Sequence, residues 1–300
     1  MHVVEAPGIR FAKLGEGTYG SVYQMRPPNG GDYSFKVFNR EDRICLQWER
    51  FILENITLHG GHPSIIRYFG LLRTSDNQLG LHLELGGKDL HGHIKNGRVF
   101  STLETVEVAR KVAEGLFFLK QKKIIHGDIK PANILLSEDN SVKIVDFGIS
   151  ILGETGNLHP AQAEWYRSPE AVLQVKYTAA IDMWGLACVI FEIFQRRALF
   201  PSNNERHLVA MQEYVLDGGY EEELINSASP SRQEEIRLSR QMVVSTEIPF
   251  LEELGEECPL LPILQAMLDF SPKSRMTAEE FLLQTSPESE SFAFIDRNCS

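Results

Sequence analysis

Ile124-Ile125-His126-Gly127-Asp128-Ile129-Lys130-Pro131-Ala132-Asn133-Ile134-Leu135-Leu136, followed by Lys143-Ile144-Val145-Asp146-Phe147-Gly148, is the stretch on which the reading of this chain turns. Two carboxylates, a carboxamide, a histidine and two lysines stand among apolar residues. A chance turn bearing Asp and Asn is the bland alternative, and features further out speak against it. Upstream, Leu14-Gly15-Glu16-Gly17-Thr18-Tyr19-Gly20-Ser21-Val22 holds three glycines at G-x-G-x-x-G spacing between two strand-like runs. Without Cβ atoms, backbone amides there can come close to a polyphosphate. A dinucleotide-binding fold would continue into a helix; here a strand follows, which favours a hairpin lying over phosphates. Lys36, in Tyr33-Ser34-Phe35-Lys36-Val37-Phe38, is a lone cation in an apolar strand. It reads either as an edge lysine that snorkels to water or as a phosphate clamp needing a carboxylate to hold it. Glu49 and Glu54, on the next helical stretch, are the two candidates.

The central segments resemble the catalytic and metal-binding loops of the eukaryotic-type protein kinases. Trp165-Tyr166-Arg167-Ser168-Pro169-Glu170 resembles the end of their activation segment, and Asp182-Met183-Trp184-Gly185 the start of their central buried helix. Arg275 resembles the arginine that pairs with Glu170. The resemblance covers about residues 9–285. Tyr166 to Glu170, Ala180 to Trp184 and Leu199-Phe200-Pro201 bring it nearest to the group holding cyclin-dependent, MAP and dual-specificity tyrosine-regulated kinases.

The resemblance implies an α+β, two-lobed fold: a small antiparallel-sheet lobe with one helix over residues 1–86, a larger mainly helical lobe over 87–285, and a tail over 286–300. It implies ATP and Mg²⁺ as cofactors and a protein Ser/Thr hydroxyl as acceptor, since Lys130 sits two residues past Asp128. Asp128 would aim the hydroxyl and Lys130 would neutralise charge on the transferred phosphoryl. Asn133 and Asp146 would offer the hard oxygens that Mg²⁺ prefers. Gly15, Gly17 and Gly20 would lie over the phosphates, and Lys36 would hold them. Glu54 fits the family's lysine-to-helix spacing and is preferred over Glu49. Leu83 would gate the adenine pocket, Glu84 and Gly86 would offer hinge backbone groups, and Leu14, Val22, Ser34 and Leu135 would line the ring site. Asp89 could reach the ribose. Competing readings are a pseudokinase acting as a nucleotide-binding interaction module and a small-molecule kinase of the aminoglycoside type. The latter often carries His-Gly-Asp but generally lacks Ser168-Pro169-Glu170 and the Arg275 partner.

Several positions depart from the pattern. Gly127 stands where most members carry an arginine that meets an activation-loop phosphate. Leu158 and Pro160 occupy places where MAP-like kinases are phosphorylated, and Glu164 replaces another phosphate-facing arginine. A carboxylate there would repel a phosphate. The expectation is activity without activation-loop phosphorylation. Ala163 replaces a Thr or Ser that bridges Lys130 and Asp128, which costs a hydrogen bond.

Further out, composition is ordinary: 43% hydrophobic, 24% charged, net charge −11. It argues against a disordered chain, and an acidic chain is a poor general binder of nucleic acid or anionic membranes. The four cysteines form no CxxC pair, so no zinc or redox motif is suggested. The start lacks a signal peptide's pattern. The expectation is a cytoplasmic monomer (nuclear not excluded), with no nucleic acid or membrane partner. Short Val-, Tyr- and Phe-rich runs predict strands at 11–14, 20–25, 33–38, 65–73 and 79–85, with helices at 43–58, 102–122 and 179–194. His82, His91 and His93 read as surface histidines, and Glu221-Glu222-Glu223 as a solvated face.

Overall fold

The computed structural model describes residues 4–17, 20–39, 41–156, 162–242, 254 and 258–289. Leu158, Pro160 and most of the expected tail lie outside them.

Short runs rich in Val, Tyr, Phe and Leu lay down the first sheet. β1 (Val4–Glu5), β2 (Ile9–Gly17), β3 (Gly20–Arg26) and β4 (Tyr33–Phe38) come first, then helix α1 (Arg43–Leu58), then β5 (Tyr68–Arg73) and β6 (Leu79–Leu83). Their order in the sheet is β1-β5-β6-β4-β3-β2, antiparallel except for the β1–β5 pair. Directly opposed residues share a face. Val22, Lys36 and Leu81 are opposed in turn, as are Ser34 and Leu83, and this set faces the cleft. The other face carries Met25, Tyr33, Phe35 and Val37, which with Leu72 form a small core of their own. At Gly20 a Cβ would sit 1.9 Å from the Val37 carbonyl oxygen, so only glycine lets β3 start there. α1 buries Leu46, Glu49, Ile52, Leu53 and Ile56, one stripe at helical spacing.

The strand expected over 65–73 begins only at Tyr68. Residues 64–66 instead run across to the second half of the molecule: the Ile144 amide donates to the Ser64 carbonyl (2.8 Å) and the Ile66 amide to the Ile144 carbonyl (3.0 Å). Beyond the sheet come β7 (Lys88–Asp89), α2 (Leu90–Lys95), α3 (Thr102–Gln121), β8 (Ile124–Ile125), β9 (Ile134–Leu136), β10 (Val142–Ile144) and β11 (Ile151–Leu152). β10, β9 and β7 make a three-stranded sheet, and β11 pairs with β8. α4 (Pro169–Val172), α5 (Ala180–Gln195), α6 (Glu205–Val215), α7 (Glu222–Ser227), α8 (Pro230–Ser239), α9 (Leu261–Met267) and α10 (Ala278–Gln284) complete the described strands and α-helices, with single 3-10 turns at Pro131–Asn133 and Glu164–Tyr166.

α5 is apolar all round, and every residue from Ile181 to Ile193 is buried, so it forms the axis of this half. α3 packs between α5 and α10. Its start is fixed by a capping box: the Glu104 amide donates to the Ser101 hydroxyl and the Ser101 amide to the Glu104 carboxylate. Glu170 and Arg275 are wholly buried and joined by two hydrogen bonds of 2.7 and 3.0 Å. The result is a two-lobed α+β fold with the β9–β10 hairpin and its flanking loops lying under the first sheet. No helix among the described residues is long and apolar enough to cross a membrane.

Candidate active site

The loop between β8 and β9 is held from beneath by α5. The Asp182 carboxylate accepts from the amides of His126 (2.9 Å) and Gly127 (2.8 Å). Burial pushes the Asp182 carboxyl above its ordinary value, with His126 and those two amides pulling the other way. Gly127 sits at φ +82°, in the left-handed region where a side chain is strained. The His126 ring spans the same loop: Nε2 lies 3.0 Å from the Val145 carbonyl and Nδ1 accepts from the Asp128 amide at 3.2 Å. These partners assign the ring proton to Nε2.

So positioned, the Asp128 carboxylate is aimed by three donors. Lys130 Nζ (2.6 Å) and Asn133 Nδ2 (2.9 Å) reach Oδ2, and the Ala163 backbone amide reaches Oδ1 at 3.1 Å. Ala163 lacks the hydroxyl expected at its position, yet its main chain still donates to Asp128. Asn133 Nδ2 also donates to the Asp128 carbonyl. Its amide nitrogen is thus committed, and its oxygen is the end left to offer a cation.

Across the cleft, Lys36 Nζ lies 2.9 and 2.7 Å from the two Glu49 oxygens and 2.7 Å from Asp146 Oδ1. The carboxylate that holds Lys36 is therefore Glu49. Glu54 instead receives Arg50 on its own helix at 2.7 Å, and its side chain is 41% exposed. The physical reason is the short link between β4 and α1, which brings the first turns of the helix over Lys36. Glu49 lies on the buried stripe with Leu46, Leu53 and Ile56, whereas Glu54 does not. Burial would pull the Lys36 ammonium down, but Glu49 and Asp146 outweigh it and hold its pKa raised. Burial raises Glu49 against the pull of Lys36; for Asp146 burial also pushes up, but Lys36 wins and the carboxyl lies low. Asp146 itself stands at φ +66°, its side chain 43% exposed. Phe147 next to it is fully buried, edge-on to His126 at 4.9 Å.

The remaining residues singled out from the sequence frame the cleft. Gly15 and Gly17 end β2 with open space where a Cβ would be, and Leu14 beside them is 47% exposed. Val22 and Ser34 line the sheet's cleft face, Ser34 opposite Leu83. The Glu84 amide is already bonded to the Arg67 carbonyl (2.9 Å), which leaves its carbonyl as the group to offer. Its carboxylate is taken by the Arg67 amide (3.0 Å) and Lys143 (2.7 Å). Leu135 packs its side chain against Gly86. Asp89 caps α2 through Oδ1, which accepts from the Gly92 amide at 2.7 Å.

Two contacts that the sequence did not point to tie the segment after Gly148 to its surroundings. The Trp48 indole N–H on α1 donates to the Ser150 carbonyl at 2.8 Å, and the Ser150 hydroxyl to the His126 carbonyl at 2.9 Å. Downstream, Glu164 accepts from Ser202 (2.8 Å), while Arg167 donates to the Gln162 carbonyl (2.9 Å) and pairs with Glu205 (2.6 Å). The histidines near the hinge do not converge: His82 packs between Tyr33 and Phe69, His93 beside Phe100.

With this geometry in hand, residues 9–285 match the protein kinase domain family. The chain belongs to the protein kinase family. Mitogen-activated protein kinase 15 of Xenopus laevis is 30% identical over 90% of this chain and 48% of its own length. Cyclin-dependent kinase 4 of Xenopus laevis is 30% identical over 91% of this chain and 88% of its own. The cyclin-dependent kinase 4 homolog of Caenorhabditis elegans is 34% identical over 65% of this chain and 51% of its own. The kinase domain thus resembles the group that holds cyclin-dependent and MAP kinases, and the chain spans about half the length of the first and third of these relatives.

Proposed function

We propose that this kinase transfers the γ-phosphoryl group of ATP to a Ser or Thr hydroxyl of a protein, with Mg²⁺, and that it does so without a phosphate on its activation segment. The observation that carries the reading is the Asp128 carboxylate, held by Lys130, Asn133 and the Ala163 amide and facing the Lys36–Glu49–Asp146 cluster. Asp128 accepts a hydrogen bond from the substrate hydroxyl and aims its oxygen at the γ-phosphorus. As the new P–O bond forms, the bond to the β-phosphate oxygen breaks and the hydroxyl proton passes towards Asp128. Lys130, already within reach of Asp128, meets charge on the moving phosphoryl. Lys36, oriented by Glu49, grips the remaining phosphates. The donor set fits a hard cation: Asp146 and the Asn133 oxygen would hold Mg²⁺, which when bound supplies charge neutralisation at phosphate oxygens. The protein's share is positioning and preorganised charge.

The reading of the activation segment rests on Gly127 and Glu164. Neither offers a cation to a phosphate, and Glu164 is already engaged by Ser202. The test uses protein freed of phosphate by a phosphatase and checked by mass spectrometry. Turnover of a basic or Ser-rich protein substrate is expected, and Asp128→Asn lowers it by several orders of magnitude while nucleotide binding persists. Equal rates for wild type and Asp128→Asn would defeat the catalytic reading. Turnover that appears only once the segment is phosphorylated would defeat its second half.

A further inference from the structure

The main chain that aims Asp128 also carries a polar side chain on each of its flanks. The Ala163 amide donates to Asp128 Oδ1 at 3.1 Å. Residues 162 and 164 therefore each stand one Cα step, about 3.8 Å, from the residue that touches this carboxylate. Gln162 is 1% exposed, and neither end of its carboxamide has a hydrogen-bond partner among the described residues. Glu164 is half-buried. The Ser202 hydroxyl donates to its Oε1 at 2.8 Å, and its Oε2 has no partner among the described residues. The other charges of this neighbourhood are already engaged. Asp146 pairs with Lys36, Asp128 with Lys130, and Glu205 with both Arg167 and Arg232, while the buried Glu192 accepts from the Tyr166 hydroxyl at 2.6 Å. Arg167 is turned to the Gln162 carbonyl and to Glu205, away from Glu164. Glu164 is thus the carboxylate next to the Asp128 contact that meets no cation among the described residues.

We propose that Glu164 determines which acceptor this kinase takes: a Ser or Thr with a lysine or arginine directly beside it in the protein substrate. The inference deepens the kinase reading and rests on it. A neighbour of the acceptor is one Cα step from the residue whose hydroxyl Asp128 aims, as Glu164 is one step from the residue that touches Asp128, so a long cationic side chain there reaches Oε2. Partial burial lowers the local dielectric, which makes such a pair worth more than a fully exposed one. A glutamate neighbour is repelled, and a proline or alanine leaves the carboxylate without a cation. Gln162 makes the other flank polar as well, and an orphaned buried amide is costly until a partner arrives. Neither residue flanking Ala163 therefore offers an apolar side chain to a neighbour of the acceptor. The net charge of −11 adds a long-range attraction for a cationic segment.

The experiment measures kcat/KM of the full chain on matched peptides with a single serine, the residue just before or just after it being Arg, Pro, Ala or Glu. At one of these two flanks Arg is expected to exceed Ala and Pro by about tenfold or more, with Glu below Ala. The preference for Arg over Ala vanishes in Glu164→Gln, and Glu overtakes Arg in Glu164→Arg, a reversal that a merely structural role would not produce. Binding of the same peptides with alanine in place of the acceptor serine, followed by fluorescence anisotropy, keeps the test independent of turnover. There the Arg peptide binds wild type about tenfold more tightly than it binds Glu164→Gln. The inference is overturned if Arg, Ala and Pro peptides are phosphorylated alike, if the preference survives in Glu164→Gln, or if binding of the Arg peptide does not depend on Glu164. Peptides that bind with the expected preference but are never phosphorylated defeat the kinase reading and leave the recognition by Glu164 standing.

Discussion

Replacing Glu49 by Gln isolates what the Lys36 clamp contributes. The side chain keeps its shape, but the carboxylate whose oxygens lie 2.9 and 2.7 Å from Lys36 Nζ becomes a neutral amide. Glu49 is 2% exposed and Lys36 14%, so water cannot take over the lost charge. Breaking such a pair from one side typically costs several kcal/mol. Here Asp146 still pairs with Lys36 at 2.7 Å, and the amide oxygen can still accept. The loss then sits at about 2–4 kcal/mol of transition-state binding, at the lower end of the range for a buried, hydrogen-bonded charge pair. That predicts a fall in kcat/KM for ATP of roughly 30- to 900-fold. Folding stability moves much less, because the substitution also removes a buried carboxylate that burial disfavours. The control is Glu54→Gln, which loses only a half-buried same-helix pair with Arg50, of the i,i+4 kind worth about 0.3–0.5 kcal/mol. Steady-state kinetics with varied ATP, alongside thermal melts, decide the matter. A Glu54→Gln variant as impaired as Glu49→Gln, or a Glu49→Gln enzyme of wild-type kcat/KM, refutes the assignment of the clamp.

Gly127→Ala places a side chain at φ +82° with only ordinary contacts around it, the nearest being the Ile149 carbonyl at 3.5 Å. The cost is therefore conformational, about 1 kcal/mol, seen as a Tm lowered by about 2–4 °C in calorimetry. Arg275→Met leaves the fully buried Glu170 carboxylate without its partner and should destabilise by about 3–5 kcal/mol, with the double variant Glu170→Gln/Arg275→Met recovering much of it in denaturant titration. Hydrogen bonding from the Ser101 amide and hydroxyl holds the Glu104 carboxyl below the usual glutamate range. Its contribution is present above the unfolded glutamate pKa and is lost as pH falls through the lowered folded value. Melting temperatures across acid pH should therefore drop more gently in Glu104→Gln than in wild type.

Much of the candidate site was legible because the segments that resemble the kinase loops are local in sequence. Asp128, Lys130 and Asn133 lie within one loop and Asp146 follows one hairpin later, and the structure gathers them as that resemblance implies. The Lys36 partner was misread because spacing across a variable link is a poor guide: the link from β4 to α1 is short, and the partner is 13 residues on, not 18. The signal that identifies it is periodicity. A glutamate on the same stripe as Leu46, Leu53 and Ile56 must either be paired or neutral, and Lys36 is the cation that faces it. Ala163 shows a second limit, since a side-chain deletion says nothing of the main-chain amide that takes over.

The bond from the Trp48 indole to the Ser150 carbonyl makes α1 a reporter of its own position. Of the three tryptophans, Trp184 is buried in the axis helix and Trp165 is tied to Ser202, so only Trp48 sits where α1 meets the segment after Gly148. Any outward swing of α1 that parts Lys36 from Glu49 also breaks the hydrogen bond of that half-exposed indole. Its intrinsic emission then changes, giving an optical readout of the clamp that needs neither substrate nor label.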